Sequence, residues 1–212
     1  MGDLSIPPPD GMRSRRRYDS PTRREQATKT RERIVAAGAD LVRGFPAWDW
    51  DDLTFRAVAE RAGVSERTVY RNFPSERHLH DAVMAQLEDD AGVSYDDIAL
   101  DDVAGVTARV FESLHRFAIE DSGHTPGDPT FAGADTRRRD ALMRAVSTQA
   151  RHWGDTERRV AAGLLDVLWS PTTYERLVRA WKLDDSQATG AVGWLIGKVV
   201  EAVQHNEPPA AG

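Results

Sequence analysis

The sequence of 212 residues predicts an all-α protein. Apolar residues recur at spacings of three and four along most of the chain, which places them on one face of a helix. No stretch combines alternating β-branched residues with the turn signals of a hairpin. Capping residues, prolines and glycines stand where helices of ordinary length would begin and end. A chain of this length forms one large domain or two small ones.

The first 75 residues predict an arm followed by a three-helix unit. Residues 1–20 are rich in Pro, Gly, Ser and Arg without periodicity, which is typical of a flexible segment. A long helix is predicted over Thr22–Gly44, where a glycine ends the apolar pattern. Two short helices are predicted between Thr54 and Asn72. The next helix begins after Ser75 and belongs to the remainder of the chain, 76–212.

The remainder of the chain also predicts helices. An apolar stripe at helical spacing contains Val103, Val106, Val110, Leu114 and Phe117. The Gly- and Pro-rich segment His124–Gly133 predicts a loop. The further predicted helices are Ala134–Trp153, Thr156–Trp169, Pro171–Trp181 and Asp185–Gln204. Ser170 and Asp184 are the expected N-caps of the last two helices, and proline at a first helical position suits its fixed φ angle.

The net charge of -6 conceals an asymmetry along the chain. Residues 1–80 carry 15 basic and 12 acidic side chains, whereas residues 81–212 carry 13 basic and 22 acidic ones. Residues 11–33 alone hold nine basic residues against three acidic ones. A basic end on an acidic body favours contact of that end with a polyanion. The alternative is a solvated, disordered tail.

Several classes of site have no support in the sequence. The absence of cysteine excludes disulfides, thiolate nucleophiles and the common structural zinc sites. Phosphate-binding loops and hydrolase or metalloprotease motifs are absent, and the six histidines are scattered. We therefore predict no catalytic residue, metal site or cofactor. The N-terminus lacks a secretory apolar region and no apolar run is long enough to span a membrane, so the expected location is the cytoplasm.

Residues 53–73, LTFRAVAERAGVSERTVYRNF, have the pattern of a helix-turn-helix. Thr54 and Ser65 are good N-caps for two consecutive short helices. Three further positions supply a small residue for close helix crossing, a turn and a branched apolar lock: Ala59, Gly63 and Val69. On a helical wheel Val69 points inward, while Arg67 and Arg71 lie opposite and are flanked by Thr68 and Tyr70. This face suits a duplex groove, although a helical hairpin with an ordinary polar surface has the same pattern.

The segment from Thr30 to Leu87 resembles the DNA-binding region of TetR-family transcriptional repressors. RERIVAAGADLV is similar to the first helix of that family, and FPSERHLHDAV is similar to the start of its fourth helix. Within the helix-turn-helix, the pattern Val-Ser-x-x-Thr-Val-Tyr-x-x-Phe at 64–73 is specific to the family. The C-terminal half resembles it more loosely, through an arginine-rich helix at 137–139 and the run SPTTYERLVRAW.

The resemblance implies which side chains meet DNA. The matching positions are Thr54, Ser65, Arg67, Thr68, Tyr70 and Asn72, and the helical wheel adds Arg71. Tyr70 corresponds to a phosphate contact, and Arg67 and Thr68 correspond to base-reading positions. The chain departs from the family at Glu76-Arg77, where the family often has Lys-Glu. Its loop at 45–52 is also longer and more acidic than usual, and we expect that loop to lie away from the duplex.

The resemblance also implies a small effector bound within the C-terminal helical domain. A large apolar set with His115 as a polar group is available there: Phe111, Leu114, His115, Phe117, Met143, Trp153, Leu165 and Trp169. An apolar cavity with few polar groups is typical of a ligand site. Aromatic stripes at helical spacing equally form packed core, and the sequence leaves that alternative open for each residue.

The last predicted helix carries two different stripes. Val192, Ile196, Val199 and Val203 form one, and Gly190, Gly193 and Gly197 lie on nearly the opposite side. Glycine within a helix costs about 1 kcal/mol relative to alanine, so the second stripe indicates close backbone approach. The valine stripe, with Tyr174, Leu177 and Val178, predicts a four-helix dimer interface of the kind that the resemblance implies. The alternative is a helix buried within one subunit.

These features together predict a homodimeric regulator of transcription that reads double-stranded DNA. We expect a flexible basic arm at 1–20, a helix-turn-helix domain at 21–75 and an effector-binding and dimerisation domain at 76–212. The protein would act as a repressor bound to a palindromic operator, and a small, mainly apolar effector would release it from that DNA. The alternative is an effector-binding or protein-interaction module whose helix-turn-helix has lost DNA binding.

Overall fold

The computed structural model describes residues 21–45, 50–96, 98–114 and 132–209. Within these residues the regular structure is helical and no strand is present, which confirms the all-α prediction. The helices are α1 (Pro21–Arg43), α2 (Phe55–Ala62), α3 (Glu66–Asn72), α4 (Glu76–Asp90), α5 (Val103–Leu114), α6 (Ala132–Gln149), α7 (Asp155–Trp169), α8 (Pro171–Trp181) and α9 (Asp185–Gln204). A 3-10 turn at Leu100–Asp102 precedes α5. The predicted arm at 1–20 lies outside the described residues.

Predicted capping residues define several helix ends. Four N-cap side chains each accept a hydrogen bond from an N–H in the first turn of the helix that they precede. They are Thr54 at α2, Ser65 at α3, Ser170 at α8 and Asp184 at α9. At α9 the cap is reciprocal, because the Gln187 side chain accepts from the Asp184 N–H at 3.0 Å. These caps satisfy N–H groups that have no partner within the helix. The positions of these helix starts therefore follow from local sequence.

The bounds of α6 differ from the prediction at both ends. The helix begins at Ala132, so Ala132 and Gly133 belong to α6 rather than to the predicted loop, and residues 124–131 of that loop lie outside the described ones. A Cβ atom at Gly133 would lie 2.5 Å from Oδ1 of Asp81, so a larger residue there would require the Asp81 carboxylate of α4 to shift. At the other end α6 stops at Gln149, four residues before the predicted end at Trp153.

The residues that follow α6 make specific contacts of their own. Trp153 turns into the core, and its indole N–H donates to Oδ1 of Asn206 at 3.0 Å. The Arg158 guanidinium donates to the carbonyl oxygens of Ala150 and Trp153 at 3.1 and 2.6 Å. These bonds satisfy carbonyl groups beyond the end of the helix. No residue near position 149 signals this end in the sequence.

The buried apolar residues form two clusters. The N-terminal cluster joins α1, α2, α3 and the first half of α4, and its fully buried members include Ile34, Val58, Val69, Phe73, Leu79 and Val83. The C-terminal cluster runs from Val93 to Val203 and includes Phe111, Leu142, Leu165, Trp169 and Ile196. Helix α4 contributes to the first cluster and also packs against α6. It therefore connects the helix-turn-helix to the C-terminal helices.

A polar network lies at the junction of α4 and α6. Glu88 of α4 accepts hydrogen bonds from the Tyr95 hydroxyl at 2.9 Å and from the Arg137 guanidinium at 2.8 Å. The Tyr95 ring stacks on Trp169, with the ring centroids 6.1 Å apart. Burial raises the pKa of Tyr95 well above its ordinary value, and the neighbouring Glu88 carboxylate raises it further. The phenol is therefore held neutral in the folded protein.

We predict that Tyr95 makes the protein less stable in alkaline solution. Its pKa is about 10 in an unfolded chain and higher in the folded one, so the folded state binds more protons above about pH 10. Stability conferred by this shift is complete below that pH and falls as the pH rises. Tyr95→Phe should reduce the fall by up to about 1.4 kcal/mol per pH unit. Urea unfolding at a series of pH values measures the slope.

A second tyrosine provides an independent check on this prediction. The Tyr174 hydroxyl donates a hydrogen bond to Asp185 at 2.6 Å. Burial raises the pKa of Tyr174, and the Asp185 carboxylate raises it further. Tyr174→Phe should therefore reduce the alkaline slope by a similar amount. Unchanged slopes in both variants would contradict the assignment of alkaline sensitivity to buried phenols.

Candidate nucleic-acid interface

The turn between α2 and α3 fixes the angle at which α3 leaves the body of the protein. Gly63 adopts a left-handed backbone with φ of 64°, and its N–H donates to carbonyl oxygens at the end of α2. The following Val64 N–H donates to the Ala59 carbonyl oxygen at 3.0 Å. Val69 of α3 is completely buried against this unit. The predicted helix-turn-helix geometry is therefore present.

The side of α3 opposite Val69 faces solvent. Arg67 and Arg71 are exposed, and Tyr70 is 57% exposed, which is high for an aromatic side chain. Thr68 and Asn72 are half-buried between these residues and the body. The structure thus brings the predicted residues of α3 onto one continuous surface, with two guanidinium groups and a phenol extending outward.

Other predicted residues on this surface make local hydrogen bonds. The hydroxyl oxygens of Ser65 and Thr68 are 2.8 Å apart, and the Asn72 amide donates to the Thr68 carbonyl oxygen at 2.7 Å. At the start of α2, the Thr54 hydroxyl accepts from the Ala57 N–H at 3.2 Å. Ser65, Thr68, Asn72 and Thr54 are therefore held in fixed positions, which is the preorganisation that a recognition surface needs.

An edge-to-face aromatic contact joins α3 to the start of α2. The rings of Phe55 and Tyr70 lie at 87° with their centroids 4.4 Å apart. Phe55 is buried, so it supports the exposed Tyr70 ring from beneath. Such pairs contribute about 0.5–1.5 kcal/mol beyond the area that they bury. The contact holds the predicted phosphate-binding tyrosine next to Thr54.

Arg31 of α1 supports the end of α3, a role that the sequence did not reveal. Its guanidinium lies 4.1 Å from the centre of the Phe73 ring and donates to the Asn72 carbonyl oxygen at 2.7 Å. In the sequence, Arg31 is one of the nine basic residues at 11–33. Its partner is 41 residues away, and no local signal indicates that contact. The charge stabilises the C-terminal end of a helix as well as the aromatic face.

The acidic loop before α2 is anchored on α4. Trp50 is buried and its ring meets His80 edge-on, with the ring centroids 5.7 Å apart. The Nε2 atom of His80 lies 2.9 Å from the Leu53 carbonyl oxygen. Asp51 and Asp52 are exposed on this loop, and residues 46–49 lie outside the described part of the chain.

The predicted effector-pocket residues lie in the C-terminal core. Five are buried there, Phe111, Leu114, Trp153, Leu165 and Trp169, and Met143 packs against them. His115 and Phe117 lie outside the described residues. A surface cleft of about 290 Å³ lies elsewhere, between the turn after α4 and α5, and Ser94, Asp102 and Arg109 are among its lining residues. None of the predicted pocket residues described by the structure lines that cleft.

The predicted dimer-interface residues face the core of their own chain. Tyr174, Val192, Ile196 and Val203 are buried, and Leu177, Val178 and Val199 pack partly buried against the same cluster. The exposed apolar side chains of α7 and α9 are different ones: Val160, Leu164, Val167, Trp194 and Leu195. The valine stripe of α9 therefore packs inward within its own chain, and the side with the glycines is left open.

Two further properties concern only the residues that the structure describes. No group of three or more His, Cys, Asp or Glu side chains among them could hold a metal ion. Of the helices that they form, none is both long enough and apolar enough to cross a membrane.

Comparison with known proteins identifies the class to which this fold belongs. The chain is similar to a TetR transcriptional regulator from Rhodococcus sp. RHA1, with a TM-score of 0.53 and 23% identity, over 84% of this chain and 98% of that one. The fold is therefore that of a TetR-type regulator, an N-terminal helix-turn-helix followed by a helical body. Residues 47–83 match the family model described as bacterial regulatory proteins, tetR family.

The family resemblance drawn from the sequence is thereby confirmed: the helix-turn-helix segment matches the tetR family model, and the fold is similar to that of a TetR transcriptional regulator. The matched residues contain the whole of α2, the turn, α3 and the first half of α4. No curated protein matches the sequence.

We predict that the left-handed turn at Gly63 is needed for backbone reasons alone. A Cβ atom at this position would meet nothing within 4 Å, so the φ of 64° is the constraint. Gly63→Ala should lower the free energy of unfolding by about 1 kcal/mol. Gly63→Asn should lower it less, because asparagine tolerates this conformation better. Urea unfolding of the two variants measures both values, and equal losses would contradict the conformational explanation.

Proposed function

We propose that this protein is a homodimeric DNA-binding repressor whose two helix-turn-helix units read a palindromic operator. The observation that carries the proposal is the outward face of α3, where Arg67, Tyr70 and Arg71 are exposed while Val69 is locked in the core. An α-helix such as α3 is about 10–12 Å across with its side chains, which suits a major groove about 12 Å wide.

The side chains of this face divide between bases and phosphates by their chemistry. Arg67, with its planar set of donors, can pair with a guanine edge, and Thr68 can bond to a base or contact a thymine methyl group. Tyr70 and Arg71 can reach phosphates on the groove walls. Thr54 and Ser65, at the starts of α2 and α3, and Asn72 complete the proposed contact surface.

The basic N-terminal segment would add sequence-independent contacts. Of the nine basic residues at 11–33, four belong to the proposed arm at 1–20. Phosphate contacts by such residues strengthen binding to any duplex and make it sensitive to salt. In this proposal the arm precedes a DNA-binding domain at 21–75 and an effector-binding and dimerisation domain at 76–212.

The exposed side of α7 and α9 supports dimerisation. The two helices pack against each other and expose five large apolar side chains, of which Trp194 is 66% exposed. A Cβ atom on Gly163, Gly190, Gly193 or Gly197 would meet no described atom within 4 Å. Nothing described in the chain itself requires these glycines, although each costs about 1 kcal/mol in a helix. A second copy whose helices approach closely would account for both features.

A symmetric dimer explains the expected operator. A two-fold axis through the α7 and α9 faces repeats each surface on its partner and carries two copies of α3. Two reading heads then require two half-sites in inverted orientation, and their combined affinity exceeds that of either half alone. A dimer bound to such a site can exclude other proteins from the same DNA, which is the repressor role that we propose.

The effector in this proposal is small and mainly apolar. Its proposed site is the C-terminal core around Phe111, Leu114, Met143, Trp153, Leu165 and Trp169, with His115 as a polar group. Because those described residues are packed together, the ligand must take the place of side chains and shift the helices that carry them. Helix α6 is one of these helices and is bonded to α4 through Arg137 and Glu88. A shift of α6 would thereby reach the DNA-binding unit.

The proposed partners and location follow from this role. Double-stranded DNA, a second copy of the chain and a small effector are the partners, and no membrane is involved. TetR-family regulators are generally not enzymes, and we assign no catalytic residue or cofactor. The cytoplasm is the compartment in which a bacterial regulator meets its operator.

A second candidate function is an effector-binding or protein-interaction module that no longer binds DNA. Glu66, at the first position of α3, and Glu76, beside α2, favour it because both place negative charge near the proposed DNA face. Salt titration separates the candidates, since phosphate contacts make affinity fall steeply with salt concentration.

The experiment that tests the proposed function is selection of bound DNA from a pool of random duplexes at near-physiological salt. We expect recovery of a palindrome, because a symmetric dimer presents two copies of α3. Protein that is folded and dimeric but recovers no preferred sequence would contradict operator reading and favour the second candidate.

We predict that Arg67→Ala relaxes base preference at one position in each half-site. The loss of discrimination there should be about 1–3 kcal/mol, with other positions unaffected. Competition binding with single-base-pair variants of the selected operator measures it. Arg139→Ala on α6, which removes another exposed arginine, should leave the preference profile unchanged. If Arg67→Ala instead lowers the affinity for all sequences equally, Arg67 contacts phosphate rather than a base.

We predict opposite effects of Gly190→Leu on the monomer and the dimer. A Cβ atom at Gly190 meets nothing within 4 Å, and replacing the glycine improves helix propensity by about 1 kcal/mol, so the monomer should not be destabilised. It would project into the proposed interface and raise the dimer dissociation constant at least about 10-fold, since overpacking costs about 1–3 kcal/mol. Sedimentation over a range of concentrations measures the constant.

Gly105→Leu is the matched control for this prediction. Gly105 is also an exposed glycine within a helix, and a Cβ atom there makes only ordinary contact with Arg109 at 3.8 Å. Its dimerisation should equal that of the wild type. If both substitutions raise the dimer dissociation constant equally, or if neither raises it, the glycine side of α9 is not part of the interface.

A further inference from the structure

Glu76 places a carboxylate at the N-terminal end of α2. Its Oε1 atom accepts a hydrogen bond from the Phe55 N–H at 3.3 Å, and the residue itself is exposed at the first turn of α4. The Thr54 hydroxyl accepts from the Ala57 N–H in the same turn of α2. Two N–H groups at this helix end are therefore bonded to oxygen atoms of the chain itself.

This helix end lies at the proposed DNA face. The Phe55 residue whose N–H meets Glu76 also supports Tyr70 through the edge-to-face ring contact at 4.4 Å. Thr54, Phe55 and Tyr70 are thus neighbours, and the Glu76 carboxylate borders the same surface. Free N–H groups and positive potential at helix N-termini attract anions, including DNA phosphates. At α2 the anion already present is a carboxylate.

We propose that Glu76 limits the affinity of this protein for DNA by holding negative charge where a phosphate would otherwise approach α2. The inference rests on the proposed DNA-binding function and adds a residue that weakens binding. A phosphate nearing Thr54 and Tyr70 meets a like charge and must displace it or stay farther away. The phosphate backbone of DNA is the same whatever the base sequence. The repulsion by Glu76 should therefore weaken binding to operator and non-operator duplexes equally.

The repulsion is of moderate size. One like-charge pair at a solvated interface changes binding by a few-fold at low salt, and salt screens it. Glu76→Gln removes the charge while its amide oxygen can still accept from the Phe55 N–H, so the cap on α2 is kept. We expect this variant to bind all duplexes about 3- to 10-fold more tightly at low salt. The ratio of operator to non-operator affinity should not change.

Charge reversal extends the test. Glu76→Lys places a cation at the same point, where it can contact a phosphate and release a counterion. We expect a further increase in affinity and a steeper dependence on salt, with the log–log slope larger by about 1. Glu76→Gln should show no such added contact.

The experiment measures the affinity of the full-length protein for an operator and a scrambled duplex by fluorescence anisotropy, over a series of salt concentrations. Asp140→Asn on α6 is the matched control, because it removes an exposed carboxylate far along the chain from the helix-turn-helix. Thermal unfolding of each variant checks that the fold is retained. We expect both Glu76 variants to bind DNA more tightly than the wild type. The control variant should bind with the affinity of the wild type.

Each other outcome has a definite meaning. If the wild type binds duplex DNA and Glu76→Gln binds no better than Asp140→Asn, the inference is overturned and Glu76 is a structural cap alone. If Glu76→Gln changes the operator ratio, the effect is base-specific and the proposed uniform repulsion is wrong. If neither the wild type nor Glu76→Lys binds any duplex, the proposed DNA-binding function itself fails.

Discussion

The burial of Val69 beneath the turn at Gly63 is the constraint on which the proposed DNA-binding face depends. With Val69 completely covered, the opposite side of a seven-residue helix can only face solvent, and that side carries Arg67, Tyr70 and Arg71. A helix this short has little stability of its own, so tertiary contacts must hold it. Phe73 buried at its end, with Arg31 above the ring, supplies the second anchor. The proposed recognition surface is thus a consequence of the packing of the opposite side of α3.

Local signals predicted most of the helices and the outward face of α3. Caps such as Thr54 and Asp184 act within one turn of the chain, so their effect can be derived from neighbouring residues. The end of α6 could not be derived in this way, because the residues after the helix make contacts with distant ones, such as that of Trp153 with Asn206. For the same reason the sequence did not indicate that Arg31 braces α3.

The two stripes of α9 show where periodicity stops being informative. Spacing alone identified the valine stripe and the glycine stripe, but it does not say which one packs against the chain's own helices. In the structure Val192, Ile196 and Val203 are buried within the chain, and the glycines face open space with Trp194. Choosing between the stripes required the position of α5, which packs extensively on α9. Both stripes are then explained, one by the core and the other by the proposed partner.

Helix α4 makes the proposed effector response physically specific. Its first half shares the N-terminal core through Leu79 and Val83, and its second half is bonded through Glu88 to Arg137 of α6. Helix α6 is in turn tied to α7, because Arg138 donates to Asp166 at 2.7 Å. Since Glu88 lies largely within the protein, separating it from Arg137 would leave a poorly solvated charge, at a cost well above that of an exposed ion pair. A displacement of α6 would therefore carry α4 with it rather than break the ion pair, and the two copies of α3 in the proposed dimer would change their separation.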